Sequence, residues 1–249
     1  MKNLNLVIVG GGAGLGALLA EMAVADGAAG IGIIDINAEA AEAALASARA
    51  KGLKAAAAAC DIRTAAASHA AFAEVASALG RVDTLVNSAA IYPRRPTLGV
   101  TDEEWDLSNA INIKGTYHMM VAAIGHMKAQ EPVAHVRGRI VNITSVDAFK
   151  AHPKNIHYAA TKAAVVSLTR SVAEYVAADG ILVNSVAPAG MATEKARQSG
   201  FLEELAKASP LGRGALPTEI AEWVLMAGGP RNTYMTGENI IVSGGYIYA

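Results

Sequence analysis

The chain has 249 residues, of which 53% are hydrophobic, carries a formal net charge of −1 and contains one cysteine, Cys60. These values exclude a disulfide framework and a cysteine-based metal site, and they argue against nucleic acid or an acidic membrane as a partner. Apolar runs are short and interrupted by charges, and the N-terminal residues lead straight into a strand pattern. We therefore expect a cytoplasmic protein with no signal peptide and no membrane-spanning helix, built as one domain over residues 1–249.

The first half of the chain alternates short β-branched runs with alanine-rich, helix-forming stretches. A predicted strand over residues 4–9 leads through a glycine-rich turn into a helix that ends near residue 26. Further along, strands are predicted at 31–35, 55–60 and 82–86, and helices at 38–51, 65–79 and 102–129. Such regular alternation of strand and helix is typical of βαβ units.

The second half continues the alternation and adds one irregular segment. Strands are predicted at 138–144, 181–186 and 239–242, and helices at 159–176 and 217–226. Residues 188–210 have a mixed composition punctuated by glycine and proline, which predicts a mobile substrate lid. Because right-handed βαβ units build parallel sheets, the sequence predicts an α/β fold, namely a Rossmann-type doubly wound parallel sheet of about seven strands flanked by helices.

Three side chains with acid–base potential surround the junction between the strand at 138–144 and the next helix. Ser145 follows the strand directly, and Tyr158 and Lys162 are four residues apart at the start of the helix. Helical residues with this spacing are neighbours, roughly 5–6 Å apart at Cβ, so the ammonium group should lower the pKa of the phenol. A phenolate could then take a proton from an alcohol while Ser145 holds the substrate oxygen. A Tyr-x-x-x-Lys pair is also an ordinary feature of helix surfaces.

The turn after the first strand has the composition of a phosphate-binding loop. Gly10, Gly14 and Gly16 allow close approach of the backbone, and the helix that follows offers free N–H groups and the positive end of its dipole. Asp35 ends the second strand, where a carboxylate can bind the ribose of adenosine. It would repel a 2′-phosphate, and Ile36 brings no compensating cation, so NAD is favoured over NADP. Asp35 could alternatively cap the helix that begins near Asn37.

Together these motifs resemble the short-chain dehydrogenase/reductase family over essentially the whole chain. Besides the glycine loop and the Ser145–Tyr158 separation, the matching segments are Asp61, Asn87-Ser88-Ala89-Ala90, Asn112-Ile113-Lys114-Gly115, and Asn184-Ser185-Val186-Ala187-Pro188 with Thr193. The resemblance implies a catalytic set of Asn112, Ser145, Tyr158 and Lys162. It also implies that the cofactor is contacted by Gly10, Gly14, Leu15, Gly16, Asp35, Ile36, Asp61, Ile62, Asn87, Ala89, Tyr158, Lys162, Pro188, Gly190, Met191 and Thr193.

The resemblance also implies individual roles and an assembly. Asp61 would hold the adenine amino group, Asn112 would hold a water molecule that relays the proton outward, and Lys162 would bind the nicotinamide ribose. Relatives are usually tetramers, so a homotetramer or homodimer is expected. The alanine- and valine-rich helix face made by Ala163, Val166, Val172 and Val176 fits such an interface, but it could equally belong to the core of one chain.

The loops at the carboxyl edge of the sheet should line the substrate pocket. The residues expected there are Tyr92, Arg94, Asp147, Phe149 and Met191. Aromatic and apolar members would form a wall, whereas Arg94 and the neighbouring Arg95 could meet an anionic group or simply be solvated. Asp147 could bind a hydroxyl group of a polyol or cap a loop, and the sequence leaves both interpretations open.

The sequence thus predicts an oxidoreductase that transfers hydride between NAD(H) and a secondary alcohol or ketone, with Tyr158 as general acid and base. No metal is expected. One alternative is a 3-oxoacyl-carrier reductase that uses NADPH, which Asp35 opposes. Another is a non-catalytic sensor that binds a dinucleotide, which would not need the complete set of Asn112, Ser145, Tyr158 and Lys162.

Overall fold

The computed structural model describes residues 1–193 and 201–248. Seven strands in this part of the chain form one sheet, and every neighbouring pair is parallel. The strands are β1 (Asn5–Val9), β2 (Gly30–Asp35), β3 (Lys54–Ala59), β4 (Thr84–Asn87), β5 (Gly138–Ile143), β6 (Ile181–Pro188) and β7 (Asn239–Val242). Their order is β3-β2-β1-β4-β5-β6-β7, which confirms the predicted doubly wound sheet.

Helices cover both faces of the sheet. They are α1 (Gly14–Ala25), α2 (Ala38–Ala44), α3 (Ala46–Ala50), α4 (Ala65–Leu79), α5 (Asp102–Ser108), α6 (Thr116–Lys128), α7 (Ile156–Val176), α8 (Phe201–Ala208) and α9 (Pro217–Gly228). Among the described residues, none of these helices is both long and apolar enough to cross a bilayer. The same residues hold no group of histidine, cysteine or acidic side chains that could bind a metal ion.

The core has two layers because successive side chains of a strand point to opposite faces. In β1, Val7 and Val9 pack into the layer beneath α4, α6 and α7, and Leu6 and Ile8 pack into the layer beneath α1, α2 and α9. All five residues of β1 are buried, as is typical of a parallel strand covered on both sides. This arrangement makes the central strands a rigid platform for the loops at their carboxyl ends.

Some predicted bounds differ from the structure. The helix predicted at 38–51 is interrupted at the buried Leu45, which lies between α2 and α3. The stretch predicted at 102–129 contains a π-helical turn, Asn109–Gly115, between α5 and α6. Strand β3 lies one residue earlier than predicted, because its register pairs Ala59 with the last residue of β2. Helix α7 begins at Ile156 rather than at 159.

Two other expectations concern the second half of the chain. The structure describes the predicted lid at 188–210 only in part, because residues 194–200 lie outside the described residues. Val166 and Val176, proposed for an interface or for the core, are 7% and 0% exposed within the single chain. These two valines therefore belong to the core, whereas Ala163 on the same helix is exposed.

Candidate active site

A cleft of about 1230 Å³ opens at the carboxyl edge of the sheet, beside the ends of β1, β4, β5 and β6. The strand order reverses between β1 and β4, and in open α/β sheets ligands bind at such a switch point. One wall holds the glycine-rich turn and Asp35, and another holds Ser145 and Tyr158. The cleft therefore joins the two regions that the sequence analysis singled out.

The glycine-rich turn is tight enough to require its glycines. Gly10 has a φ of +74°, and a Cβ atom there would lie 2.6 Å from the backbone of Ala89. A Cβ atom on Gly16 would lie 2.1 Å from the carbonyl oxygen of Gly10. Because these contacts bring α1 close to β1, its first N–H groups lie at the cleft, where Gly14 and Leu15 form part of the lining. This cradle fits a phosphate group.

Asp35 supports the glycine-rich turn as well as lining the cleft. Its Oδ2 accepts a hydrogen bond from Gly12 N at 2.9 Å, and its Oδ1 accepts one from Asn37 N at 3.0 Å. The cap of α2 is Asn37, whose Oδ1 accepts from Ala40 N at 3.0 Å. The alternative that Asp35 caps this helix is therefore wrong. The position of the carboxylate fits the ribose of an adenine dinucleotide.

Asp61 lies farther along the same wall. Its carboxylate pairs with Arg63, with Nη2 and Oδ2 2.5 Å apart. The hydrogen bond from the guanidinium holds the pKa of Asp61 below its usual value. Asp61 and Ile62 both line the cleft, and contact of Asp61 with the adenine amino group stays a prediction. A charged carboxylate at this point can accept a hydrogen bond from an amino group.

Tyr158 and Ser145 face the cleft from α7 and from the end of β5. Ser145 Oγ accepts a hydrogen bond from Asp147 N at 3.1 Å, and the ring of Tyr92 packs edge-on against that of Tyr158 at 6.1 Å between centroids. Burial raises the pKa of Tyr158, the negative charge of Asp147 raises it further, and a hydrogen bond with Ser145 acts in the opposite direction. The phenol is therefore protonated over the neutral range.

Lys162 lies one helical turn beyond Tyr158 and is 4% exposed. Its Nζ lies 5.6 Å from the centroid of the Tyr158 ring and donates a hydrogen bond to Ile143 O at 2.7 Å. Burial lowers the pKa of the ammonium group to about 8. The expected net lowering of the Tyr158 pKa is wrong for the chain by itself, because burial and the charge of Asp147 raise that pKa instead. The spacing of the two residues in the sequence does not reveal how deeply their side chains are buried.

The buried ammonium of Lys162 should make stability depend on pH. Because folding lowers its pKa from an ordinary 10.5 to about 8, the unfolded chain binds more protons between these values, and the cost of burying the charge falls as the pH rises. We expect the wild type to gain about 2 kcal/mol in free energy of unfolding between pH 7 and pH 9.5, relative to a Lys162→Met variant.

Urea unfolding at both pH values measures the difference, and Lys114→Met, at an exposed position, is the control. Equal pH dependence in wild type and Lys162→Met would contradict the expectation.

Asn112 is fully buried in the π-helical turn and connects two parts of the site. Its Oδ1 accepts from Ile91 N at 2.9 Å, and its Nδ2 donates to Ile91 O at 2.9 Å and to Thr161 Oγ1 at 3.1 Å. It thereby ties the loop after β4 to α7, next to Tyr158. Asn112 does not line the cleft, and its side chain is engaged by protein groups. The structure thus gives it a positioning role, and water binding through it stays a prediction.

Most of the residues predicted for the site line the cleft. They are Gly10, Gly14, Leu15, Asp35, Ile36, Asp61, Ile62, Ala89, Tyr92, Arg94, Ser145, Asp147, Tyr158, Lys162, Pro188, Gly190, Met191 and Thr193. Gly16 and Asn87 lie behind it, and Asn87 Nδ2 donates to Asn142 Oδ1 at 2.9 Å, which joins β4 to β5.

Two residues considered for the substrate pocket lie outside the cleft. Phe149 does not line the cleft and is 39% exposed, because the short 3₁₀ turn Val146–Ala148 carries it outward. Arg95 is also outside the cleft lining, and its Nε donates to Glu104 at 2.7 Å. Tyr246, which the sequence analysis missed, lines the cleft and accepts a hydrogen bond from Lys150. In the sequence, Gly244 and Gly245 directly before Tyr246 indicate a turn at this position.

Comparison with known proteins identifies the family. A family model described as enoyl-(acyl carrier protein) reductase matches residues 10–247. The short-chain reductase protein NovJ of Streptomyces niveus is 36% identical over 248 residues, which cover 96% of this chain and 92% of that protein. The chain belongs to the short-chain dehydrogenase/reductase family. It is accordingly an oxidoreductase of a family that binds nicotinamide dinucleotides.

One further relative in sequence and two solved structures match nearly the whole chain. D-threitol dehydrogenase of Mycolicibacterium smegmatis is 33% identical over 243 residues, covering 96% of this chain and 91% of that protein. The crystal structure of NAD⁺-bound xylitol dehydrogenase has a TM-score of 0.89 at 25% identity and covers 98% of this chain and 99% of its own. A gluconate 5-dehydrogenase from Burkholderia cenocepacia, in complex with NADP and tartrate, has a TM-score of 0.89 at 31% identity, with coverage of 99% and 96%.

Proposed function

We propose that this chain is an NAD-dependent dehydrogenase that oxidises a secondary alcohol to a ketone, and reduces the ketone in the reverse direction. The observation that carries the proposal is the position of Ser145, Tyr158 and Lys162 in the same cleft as the glycine-rich turn and Asp35. This arrangement brings an acid–base pair to the place where the reactive end of a dinucleotide would lie. Relatives named as dehydrogenases of D-threitol and xylitol support an alcohol as the substrate class.

Tyr158 is the group that moves the substrate proton in this mechanism. In oxidation its phenolate removes the hydroxyl proton, and in reduction the phenol returns it to the developing alkoxide. Ser145 Oγ, held by the N–H of Asp147, donates its own hydrogen bond to the oxygen that changes between hydroxyl and carbonyl. The dinucleotide, when bound, accepts or supplies the hydride at the nicotinamide.

Lys162 and Asn112 prepare Tyr158 for this step. With a pKa of about 8, Lys162 is mostly protonated at pH 7, so its charge favours the phenolate that forms during oxidation. Asn112 positions the start of α7 through Thr161, whose Oγ1 donates to Tyr158 O at 2.8 Å. The two residues therefore act through Tyr158, one by charge and the other by position.

Asp35 is the basis for choosing NAD over NADP. Its carboxylate lies between the glycine-rich turn and exposed Ile36, where the ribose hydroxyls of adenosine would donate to it. A 2′-phosphate at the same place would face a negative charge. Structures of related enzymes contain either dinucleotide, so the preference in this chain is an inference from Asp35.

The proposal is tested by a cofactor titration followed by an activity assay. We expect the purified protein to bind NAD more tightly than NADP and to produce the absorbance of the reduced nicotinamide with at least one class of secondary alcohol. The panel would contain aryl, cyclic and polyhydric alcohols and hydroxy acids. Binding of a dinucleotide without turnover of any member would favour a sensor, whereas preference for NADP with turnover of a 3-oxoacyl thioester would favour a carrier-linked reductase.

We also propose a homo-oligomer, as expected from the resemblance. Trp105, Tyr117 and Val121 of α5 and α6 are each at least one-third exposed, which leaves an apolar surface that a second copy could cover. Sedimentation or light scattering of the purified chain gives the oligomeric state directly.

A further inference from the structure

Asp147 places a carboxylate in the cleft immediately beside the proposed catalytic serine. It lies in the 3₁₀ turn Val146–Ala148 that follows Ser145, and its backbone N–H holds Ser145 Oγ at 3.1 Å. Only the backbone makes that hydrogen bond, so the side chain is free to serve another purpose. The side chain is 16% exposed and lines the cleft together with Tyr158.

The carboxylate of Asp147 lacks a hydrogen-bond donor of its own within residues 1–193 and 201–248. The nearest titratable partner that the structure gives is His152, whose Nε2 lies 3.8 Å from Oδ2, beyond hydrogen-bonding distance. Lys150 donates instead to Tyr246 and lies over its ring. A partly buried carboxylate that the described residues leave without a donor is costly unless a ligand supplies one, which favours a substrate group as its partner.

The alternative role left open by the sequence, capping a loop through the side chain, is not observed. In the described residues no backbone N–H donates to the Asp147 carboxylate, and the turn is closed by Ser145 Oγ and by the Ser145 carbonyl oxygen, which accepts from Ala148 N at 3.0 Å. The Asp147 carboxylate is therefore available to a molecule bound in the cleft.

We propose that Asp147 accepts a hydrogen bond from a second hydroxyl group of the substrate, next to the one that reacts, so that the cleft selects vicinal diols and polyols over simple alcohols. This inference rests on the proposed function, because Ser145 and Tyr158 are taken to hold the reacting oxygen. Hydrogen bonds to a charged acceptor are roughly twice as strong as neutral ones. A site built around such a bond rejects an analogue that lacks the hydroxyl.

The charge of Asp147 also acts on Tyr158, so its removal should affect the oxidation rates of simple alcohols and diols differently. Within the described part of the chain, Asp147 faces Tyr158, His152, Lys150 and Arg94, and its negative charge raises the pKa of Tyr158. For a simple alcohol this effect opposes formation of the phenolate and brings no benefit. Removing the charge should therefore speed oxidation of a simple alcohol at pH 7 and slow that of a diol.

The test compares 2,3-butanediol, as separate stereoisomers, with 2-butanol at saturating NAD. In Asp147→Leu we expect the ratio of kcat/KM for the better diol to kcat/KM for 2-butanol to fall at least about tenfold. Asp147→Asn keeps a neutral acceptor oxygen, so the same ratio should fall less in this variant than in Asp147→Leu. Asp179→Asn is the control, because Asp179 is remote and pairs on the surface with Lys128 at 2.8 Å. A ratio that changes less than about twofold in Asp147→Leu would overturn the proposal.

A binding measurement separates this proposal from the proposed function. Saturation-transfer NMR with NAD present compares 2,3-butanediol and 2-butanol on Tyr158→Phe and on Tyr158→Phe/Asp147→Leu. If the diol binds better only when Asp147 is present, the inference stands even if no alcohol is oxidised by the wild type. If both proteins bind the two alcohols alike, the inference fails, whatever the activity of the wild type.

Discussion

A Tyr158→Phe variant is expected to lose about 10²–10⁴-fold in kcat for alcohol oxidation, the range that a positioned general acid–base group contributes. The substitution removes the phenolic oxygen and keeps the ring, which packs against Tyr92. Binding of the dinucleotide depends mainly on the glycine-rich turn and Asp35, so it should survive. The measurement is initial-rate kinetics under saturating NAD, together with a fluorescence titration of NAD binding.

The control for this experiment is Tyr175→Phe on the same helix. Tyr175 is 75% exposed and lies at the opposite end of α7 from Tyr158. Removing its hydroxyl group should therefore leave kcat unchanged. If Tyr158→Phe kept more than about a tenth of the wild-type kcat, the assignment of Tyr158 as the general base would be wrong. Loss of NAD binding by the variant would instead indicate a role in the cofactor site.

The elements that position the site could be predicted because their signals are local. The run of β-branched residues before Ser145 and the alanine-rich helix after Ile156 define a strand end and a helix start, and the four-residue spacing then brings Tyr158 and Lys162 together. The glycine-rich turn was equally readable, since a Cβ atom on Gly10 or Gly16 would collide with the backbone.

The remaining features depend on contacts between distant parts of the chain. The π-helical turn forms around Asn112, which bonds to Ile91, 21 residues away, and no local pattern encodes that pairing. The pKa of Tyr158 is raised by burial and by Asp147, and neither effect can be inferred from its four-residue spacing to Lys162. Phe149 was misplaced because a 3₁₀ turn changes which side chains point inward.

An Asp35→Ser variant is expected to raise the ratio of kcat/KM with NADP to kcat/KM with NAD by about 10²-fold. Like charges brought together in a binding site cost several kcal/mol, and each 1.4 kcal/mol corresponds to a factor of about ten. The serine hydroxyl is small and neutral, so it removes the repulsion of a 2′-phosphate and retains an acceptor for Asn37 N.

The ratio is the informative quantity because Asp35 has a structural role as well. Its loss removes the acceptor for Gly12 N, which should loosen the glycine-rich turn and weaken both dinucleotides to a similar extent. That effect cancels in the ratio, whereas the electrostatic effect on the 2′-phosphate does not.

The control is Glu39→Gln on the first turn of α2. Glu39 is an exposed acid outside the cleft lining, so its substitution should leave the ratio almost unchanged. A wild type that already prefers NADP, or an Asp35→Ser ratio equal to that of Glu39→Gln, would show that the carboxylate does not select the cofactor.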